Sequence, residues 1–489
     1  MSTRPTSGAF DASALCYLSA VNLRALLANK HISATELLDV HLARIDEVNP
    51  QINAIVTLVP EQARRRATDI DAQLHRGENP GLLAGLPVAH KDLADTQGIR
   101  TTYGSRLFAE HIPDRNALIV QRMIDAGAVT LGKTNTPEFG AGSQTFNEVF
   151  GATYNPYDLS KTPGGSSGGS AAALAARLVT LADGSDMGGS LRNPASFCNV
   201  VGFRPSPGRV PSYPTDMSWF NVPVVGPMAR NVEDCALFMA AIAGPDARVP
   251  IALNEPGTDF LSPLQRDFSG TRIALSHDFN GQLPIASEVA TVIAGSTSVF
   301  QQLGCRVEHE CPDFSGADNV FKTLRAWSMA ATHGPRLAEH RALYKASLIW
   351  NIEQGMGLKG SDIAEAEQQR SRLFERVSTF MQTHEFLVLP VCQVSPFDVT
   401  LEYPTDINGV SMDTYIDWMK SCYYLSTIGL PAISVPCGFT PEGLPVGVQI
   451  IGRHQADFSV LQLAYAFQQA TLCGQKLPSL GSRPITSAC

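Results

Sequence analysis

The chain has 489 residues, of which 37 are Lys or Arg and 46 are Asp or Glu, so its formal net charge is −9. Apolar residues make up 44% of the chain and charged residues 17%. This composition excludes a disordered protein, because disordered chains carry fewer apolar and more charged residues. The acidic balance also argues against a nucleic-acid partner, since a polyanion is normally met by an excess of Lys and Arg.

The ten cysteines are scattered along the chain, with no Cys-x-x-Cys pair and no histidine at metal-ligand spacing. We therefore predict no disulfide framework, no metal and no cofactor. The start, MSTRPTSGAF, lacks the apolar core of a secretory signal. The uncharged stretch from Ser421 to Pro441 is long enough to span a membrane, but its prolines and glycines favour a turn followed by a buried strand. We expect a cytoplasmic protein without a membrane partner.

The first clear element is an amphipathic helix that begins after Ser33. Ser33 and Glu36 form a capping box, and the pair Asn49-Pro50 is predicted to end the helix. One apolar stripe runs along it, made of Leu37, Leu38, Leu42, Ile45 and Val48.

Short apolar runs then alternate with longer helical segments. The predicted strands are Leu86–Ala89, Ala128–Leu131, Leu178–Ala182, Arg272–Leu275, Phe386–Val391, Ala432–Val435 and Val446–Ile451. The predicted helices are Ala117–Ala126, Ser170–Arg177, Ser287–Leu303 and Ser459–Thr471. Most of the strands are continuously apolar, which is typical of strands covered on both faces. The pattern predicts an α/β protein whose sheet is covered by helix layers.

One domain over residues 1–489 is expected, with a helical N-terminal segment at about 13–75 and a helical insertion at about 310–430. The insertion holds three of the four tryptophans, Trp327, Trp350 and Trp418. We predict that it covers a pocket, and ordinary helical packing is the alternative.

The run Pro163-Gly-Gly-Ser-Ser-Gly-Gly-Ser170 stands directly before an Ala-rich helix. Three interpretations are open at this point. A Gly/Ser run can be a flexible linker, and a helix N-terminus can bind phosphate. However, the Gly-Lys-[Ser/Thr] of a P-loop is missing, and no polar padding separates the run from the helix. A specific backbone feature is therefore favoured.

A second glycine-rich stretch, Asp183-Gly-Ser-Asp-Met-Gly-Gly-Ser190-Leu-Arg192, follows the predicted strand Leu178–Ala182. A turn of this kind presents its final serine hydroxyl beside unpaired backbone N–H groups. Such a loop can supply both an attacking oxygen and an oxyanion hole, as acyl transfer requires. Gly188 and Gly189 would let the backbone come close to a substrate.

These two stretches, preceded by Pro-Val-Ala-His-Lys-Asp, resemble the amidase signature family. The similarity extends from about residue 30 to 475 and includes TTYGS, AGAVTLGKTNTPEFG, NPYDLSKTPGGSSGG and GLPAISVPCGFTPEGLPVGVQIIG. It implies an α/β/α sandwich with a large mixed central sheet. It also implies a Ser–cis-Ser–Lys triad, in which Ser190 is the nucleophile, Ser166 the bridging serine and Lys91 the base.

The resemblance assigns further roles around this triad. The peptide Gly165–Ser166 would be cis, and Ser167 would help to anchor Lys91. Backbone N–H groups of Met187, Gly188, Gly189 and Ser190 would form the oxyanion hole, while Asp186 and Arg192 would support the loop. Met187 replaces the Thr or Ile that is frequent in the family, and its side chain is expected to shape the acyl pocket.

Lys91 must be neutral to act as a base. At an ordinary pKa near 10.4, only about one lysine in 2,500 is neutral at pH 7, a penalty of about 4.6 kcal/mol. The site should therefore bury Lys91 among hydroxyl groups. Asp92 would oppose this unless its side chain points to the opposite face of the strand. His90 is expected to be packed or solvent-facing, because no partner spacing supports a Ser-His-Asp triad.

The predicted activity is hydrolysis of a small carboxamide or N-substituted amide through an acyl-enzyme on Ser190. Phe146, Trp327, Tyr415 and Trp418 are candidate pocket residues and favour aryl or hydrophobic substrates. Ester hydrolysis as a side activity is compatible with the same site. The alternative is the glutaminase subunit of a tRNA-dependent amidotransferase. A non-catalytic binding protein is disfavoured because Lys91, Ser166 and Ser190 are all present. We expect a monomer or a homodimer.

Overall fold

The structure is a computed structural model and describes residues 12–480. The N-terminal stretch considered above for a secretory signal and the last cysteine, Cys489, therefore lie outside the described residues. Within the described part, no helix is both long enough and apolar enough to cross a membrane.

The described residues contain thirteen α-helices and fifteen strands. The helices are α1 Ala20–Ala28, α2 Ala34–Ile52, α3 Pro60–His75, α4 Leu118–Asp125, α5 Gly168–Ala175, α6 Arg192–Phe197, α7 Val232–Ile242, α8 Ser287–Gln302, α9 Ala317–His340, α10 Ala346–Met356, α11 Gly360–Thr383, α12 Lys420–Thr427 and α13 Asp457–Thr471. The strands are β1 Ile55–Leu58, β2 Pro87–Lys91, β3 Val129–Thr134, β4 Phe146–Asn147, β5 Gly151–Ala152, β6 Leu181–Asp186, β7 Val201–Arg204, β8 Val224–Ala229, β9 Arg272–Leu275, β10 Arg306–Glu308, β11 Phe386–Pro390, β12 Asp406–Ile407, β13 Val410–Ser411, β14 Ala432–Phe439 and β15 Pro445–Gly452.

Eleven of the described strands form one central sheet in the order β1-β3-β2-β6-β8-β7-β14-β15-β11-β9-β10. The sheet is mixed. The neighbours β3, β2 and β6 run parallel, as do β11, β9 and β10, while the strands from β6 through β8, β7, β14 and β15 to β11 pair antiparallel. The predicted fold, an α/β/α sandwich with a large mixed sheet, is confirmed.

Continuous apolar sequence did mark strands that are covered on both faces. Every residue of β2, β11 and β15 is buried, and all seven predicted strands are present. Strands β7 and β8 were not predicted, because β7 is short and ends in Arg204, and β8 is interrupted by Gly226-Pro227. Both lie in the middle of the sheet, where tertiary pairing outweighs weak local propensity.

The first predicted helix is correct at its start and wrong at its end. Ser33 accepts a hydrogen bond from the Glu36 backbone N–H, and the Glu36 carboxylate accepts one from Ser33, so the capping box is confirmed. The helix continues through Pro50 to Ile52, where left-handed Asn53 ends it. Pro50 lacks a backbone N–H, yet the helix extends two residues beyond it.

The stretch from Ser421 to Pro441 also differs from its prediction at one end. Its first part belongs to helix α12 rather than to a turn, while the buried strand predicted after it is present as β14. All seven residues of α12 from Ser421 to Thr427 are buried. A helix enclosed on all sides lacks the amphipathic period that would have marked it in the sequence.

Candidate active site

The site is built where two parallel neighbours in the sheet end. Strands β2 and β6 are in register at Val88 and Leu181, so their carboxyl ends meet at one edge of the sheet. Lys91 is the last residue of β2, and Asp186 is the last residue of β6. The strand predicted to end at Ala182 thus runs four residues further, because β8 pairs with it as far as Asp186.

The Gly/Ser run forms a closely hydrogen-bonded loop, not a flexible linker. The Gly165–Ser166 peptide is cis, as predicted, and helix α5 begins at Gly168. Ser143 Oγ donates to the Gly165 carbonyl at 2.8 Å, and Thr145 Oγ1 donates to the Gly164 carbonyl at 2.7 Å. The Ser167 backbone N–H donates to the Ser190 carbonyl at 3.2 Å, which joins this loop to the second glycine-rich stretch.

Lys91 is 1% exposed, and its side-chain amine faces three hydroxyl groups. The Nζ atom lies 2.7 Å from Ser166 Oγ, 3.0 Å from Ser167 Oγ and 3.0 Å from Ser185 Oγ. Hydroxyl groups both donate and accept, so they can solvate the neutral as well as the charged amine. The third hydroxyl, that of Ser185, was not predicted.

Burial lowers the pKa of Lys91 to about 7, and the nearby carboxylates of Asp186 and Asp183 only partly oppose this shift. A substantial fraction of Lys91 is therefore neutral at physiological pH, as a general base requires. Asp92 does not contribute, because its carboxylate accepts hydrogen bonds from the Thr102 backbone N–H at 3.1 and 3.2 Å. His90 is buried, with Nε2 3.0 Å from Thr130 Oγ1.

The second loop turns sharply between Met187 and Ser190. Gly189 has φ +112°, and a Cβ at this position would lie 2.6 Å from Cys422 Cβ, so only glycine fits. Its backbone N–H donates to Asp186 Oδ1 at 2.9 Å and is therefore not free for an oxyanion, which corrects the predicted donor set. Among the described residues, no acceptor is found for the backbone N–H groups of Gly188 and Ser190.

Asp186 organises the base of this loop. Arg192 donates to it at 3.0 and 3.1 Å, and Arg204 Nη1 lies 3.2 Å from its Oδ1. All three side chains are fully buried. Burial alone would raise the pKa of Asp186, but the two guanidinium groups outweigh it and hold this pKa well below its usual range. Arg192 was predicted beside the loop, whereas Arg204 was not.

A cavity of about 490 Å³ opens over these groups. We call the residues Ser166, Ser185, Asp186, Met187, Gly188 and Ser190 its floor. We call Phe321, Arg325, Ser328, Met329 and Thr332 of helix α9 its roof. Residues from the loop 208–223, among them Met217 and Phe220, form a further wall. The ring of Phe321 lies directly over Gly188, 3.0 Å from the place where a Cβ of that glycine would stand.

The four aromatic residues predicted for the pocket lie elsewhere, none of them among the described residues that line the cavity. Trp418 is buried in the core, stacked on Phe197. Trp327 packs edge-on against Phe220, behind the cavity wall. Tyr415 and Phe146 flank Lys345, whose Nζ lies 5.7 and 5.5 Å from their ring centres. The aromatic lining comes instead from Phe139, Phe220 and Phe321.

Three polar residues of the site were missed, each for a different reason. Ser185 follows Asp183 by two positions, so it lies on the same face of β6, and a strand extended to Asp186 would have revealed it. Arg204 ends β7, a strand that was not predicted. Arg325 is one of many polar residues on a long helix, and no local signal marks it.

Comparisons with known proteins agree with this geometry. Residues 36–461 match the family model described as Amidase. An acylamidase of Rhodococcus erythropolis is 34% identical over 95% of this chain and 98% of its own length. One subunit of the glutamyl-tRNA(Gln) amidotransferase from Prochlorococcus marinus (strain MIT 9303) is 36% identical over 90% of this chain and 94% of its own.

Among solved structures, a bacterial aryl acylamidase of the amidase signature family superposes with a TM-score of 0.88 and 31% identity. The superposition covers 94% of this chain and 97% of that one. The family match, the similarity to an acylamidase and the superposition point the same way. This chain belongs to the amidase signature family and hydrolyses carbon–nitrogen amide bonds.

Proposed function

We propose that amide hydrolysis proceeds through an acyl-enzyme on Ser190, with Ser166 as the bridging serine and Lys91 as the base. The observation that carries this proposal is the environment of Lys91, a fully enclosed amine with a pKa of about 7 and three hydroxyl neighbours. A surface lysine has no need of such an environment, whereas a general base working near neutral pH depends on it.

In the proposed reaction, neutral Lys91 accepts the Ser166 proton while Ser166 accepts the proton of Ser190. The Ser190 oxygen then attacks the amide carbonyl carbon. The carbonyl oxygen becomes an oxyanion, which the backbone N–H groups of Gly188 and Ser190, with that of Met187, would stabilise. The proton held on Lys91 returns through Ser166 to the amine, which leaves as the C–N bond breaks. Water then attacks the ester by the same route and releases the acid.

The proposed substrate is a small-molecule amide, either a carboxamide or an N-substituted amide such as an N-aryl amide. A cavity of about 490 Å³ lies within the range of sites that enclose small ligands. Its apolar lining by Phe139, Phe220, Phe321 and several methionines supports a hydrophobic or aromatic substrate group. The relatives named acylamidase and aryl acylamidase support the same class.

A substrate panel tests this proposal. The panel comprises primary amides, acyl anilides, N-alkyl amides, glutamine and the matching esters. We expect release of acid and amine from the anilides or carboxamides, together with an acyl adduct on the peptide that contains Ser190. Mass spectrometry of a rapidly quenched reaction would detect the adduct. Undiminished amide turnover by Ser190→Ala would contradict the mechanism.

A second candidate is the glutaminase subunit of a tRNA-dependent amidotransferase, favoured by the 36% identity to the Prochlorococcus protein. That protein is named as one subunit of an amidotransferase, so the two candidates differ in their need for partners. We propose a free-standing monomer or homodimer in the cytoplasm. Sedimentation of the purified chain together with the panel separates the candidates, because activity of the isolated chain on anilides but not on glutamine would favour the free-standing enzyme.

We also propose that residues 1–489 act as one catalytic domain, which the family match over 36–461 supports. The N-terminal segment at about 13–75 contains helices α1 to α3, with strand β1 among them. The segment at about 310–430 contributes the roof through α9, in support of a pocket-covering role, but it is not wholly helical, because it includes strand β11 of the central sheet.

A further inference from the structure

Arg325 of the roof is the only Lys or Arg among the described residues that line the cavity. Its hydrogen-bond partners are uncharged. Its side chain is 5% exposed. Nη2 donates to the Tyr415 hydroxyl at 2.9 Å, and Nη1 donates to the Met187 sulfur at 3.3 Å. Tyr415 in turn donates its proton to Asn351 Oδ1 at 3.0 Å, so it meets Arg325 as a neutral acceptor. The Nε atom is buried without any acceptor among the described residues.

No carboxylate oxygen of the described residues lies within 4.0 Å of the Arg325 guanidinium nitrogens. At the floor, by contrast, the buried guanidinium groups of Arg192 and Arg204 both pair with the carboxylate of Asp186. The neighbouring Lys345 also has an acidic group nearby, with Nζ 3.7 Å from Glu402. A buried guanidinium without an anion is costly, because neither a thioether nor a phenol replaces the lost hydration of the charge.

The charge of Arg325 lies on the cavity side of helix α9, beside the catalytic loop. Phe321, Ser328, Met329 and Thr332 stand four before and three, four and seven after it on α9, so all share its face of the helix and line the cavity with it. Met187, which Nη1 contacts, precedes the Gly188–Ser190 loop directly. A group bound to the guanidinium would therefore lie close to the amide being cleaved.

We propose that Arg325 binds an ionised carboxyl group of the substrate, so that the preferred substrates are amides that carry a second, negatively charged carboxylate. This inference rests on the proposed function of the site. The planar guanidinium offers N–H groups in the fork that a carboxylate accepts in a bidentate manner. Met187 and Tyr415 each accept one hydrogen bond from the fork, and the second N–H groups of Nη1 and Nη2 are left for the ligand. Asp216, also on the cavity wall, is exposed and solvated.

The test compares matched pairs of anilides in wild type and variants. For the acyl side the pair is the 4-nitroanilide of succinic acid, which keeps one free carboxylate, and the 4-nitroanilide of butyric acid. For the amine side it is 4-acetamidobenzoate and the neutral 4-methylacetanilide, in which the acetanilide bond is the only amide. In wild type we expect kcat/KM to favour the charged member of one pair by about tenfold or more. The pair that shows this preference identifies which side of the amide faces Arg325.

Arg325→Met should reduce that preference at least tenfold, mainly through KM, while retaining turnover of the neutral member. Arg325→Lys should retain part of the preference, because it keeps the charge and loses the fork. Arg336→Met is the matched control, since Arg336 is an exposed residue of the same helix that does not line the cavity, and it should leave the preference unchanged. A wild-type preference for both neutral members, or an unchanged preference in Arg325→Met, would overturn the inference. An equal loss on charged and neutral members would also overturn it, because that pattern indicates a structural role.

A binding measurement separates this inference from the proposed mechanism. Calorimetry on Ser190→Ala, with the same four compounds, does not require turnover. We expect the charged member of one pair to bind about tenfold more tightly than its neutral partner, and Ser190→Ala combined with Arg325→Met to remove the difference. Equal affinities in Ser190→Ala would refute carboxylate recognition, even if turnover through Ser190 were established. Selective binding by Ser190→Ala together with undiminished turnover by the same variant would refute the mechanism alone.

Discussion

The floor and the roof of the cavity differ in the partners of their buried charged side chains. On the floor, Asp186 is held by two guanidinium groups. Lys91, whose amine contacts the floor residues Ser166 and Ser185, is surrounded by hydroxyl groups that accommodate its neutral form. On the roof, Arg325 remains enclosed with only neutral partners. The floor is thus complete in the protein alone, as a preorganised catalytic loop should be. The roof lacks an anion, and this difference separates a part built for chemistry from a part built for recognition.

The largest effect is expected for Ser190→Ala. If the floor carries the chemistry, this change should lower kcat by about four orders of magnitude or more, because the nucleophile is absent and the other groups act only together with it. Initial rates on an anilide at saturating concentration would measure the loss. Ser298→Ala, at an exposed position of α8, is the control and should retain full activity. Residual activity above a hundredth of wild type in Ser190→Ala would contradict the assignment.

The next largest effect concerns Lys91→Met, which should reduce kcat/KM about a thousandfold at pH 8 through loss of the base. In wild type, kcat/KM should rise with pH through about 7, because only neutral Lys91 accepts a proton. A pH–rate profile of a neutral anilide would measure this limb. A flat profile from pH 5.5 to 8.5, or a similar rising limb in Lys91→Met, would assign the base elsewhere.

Stability offers a control on the same lysine. Because the pKa of Lys91 is lowered in the folded state, the unfolded chain binds more protons between about pH 7 and 10.5. The free energy of unfolding of wild type relative to Lys91→Met should therefore rise across this window, by up to about 1.4 kcal/mol per pH unit. Denaturant titrations of both proteins at several pH values would show it. Taking the difference cancels other titrating groups, such as Lys133.

Asp186→Asn should reduce the free energy of unfolding by about 3 to 5 kcal/mol, because two buried guanidinium groups lose their anion. Arg325→Met on the roof should change it by less than about 1 kcal/mol or increase it, since no ion pair is broken. Urea denaturation at pH 7 measures both. Equal destabilisation by the two substitutions would remove the distinction between floor and roof.

The smallest effect is expected for Phe321→Leu, at the position where the roof lies over Gly188 of the floor. The shorter side chain frees space above Gly188, so KM for anilides with bulky acyl groups should fall about three- to tenfold relative to acetanilide. The kcat for acetanilide should change less than about threefold. Phe374→Leu on α11, outside the residues that line the cavity, serves as the control. A large loss of kcat in Phe321→Leu would indicate that this ring positions the catalytic loop.

The site residues that were predicted lie in short sequence motifs, whereas the position of the residues that were missed depends on tertiary packing. The segments Pro163–Ser170 and Asp183–Arg192 are contiguous in the sequence, and their glycines and serines are read directly, so the family and the fold followed from them. The aromatic residues predicted for the pocket do not belong to a motif of this kind. Trp418 and Trp327 occupy the core and the back of the wall because of how α9, α12 and the sheet pack, and composition cannot distinguish a buried ring from one that lines a cavity.

The family was identified from the resemblance of the motif blocks, and short-range patterns were enough to predict the alternation of covered strands with helices and the two glycine-rich loops. These patterns are hydrophobic period, capping and the backbone freedom of glycine, and each can be read within a few neighbouring residues. The folded chain was needed to show that Ser185 completes the hydroxyl set around Lys91, that Arg204 joins Arg192 on Asp186, and that Arg325 is enclosed without an anion. Each of these depends on side chains far apart in the chain, whose burial and charge environment arise only when the sheet and the roof close around them.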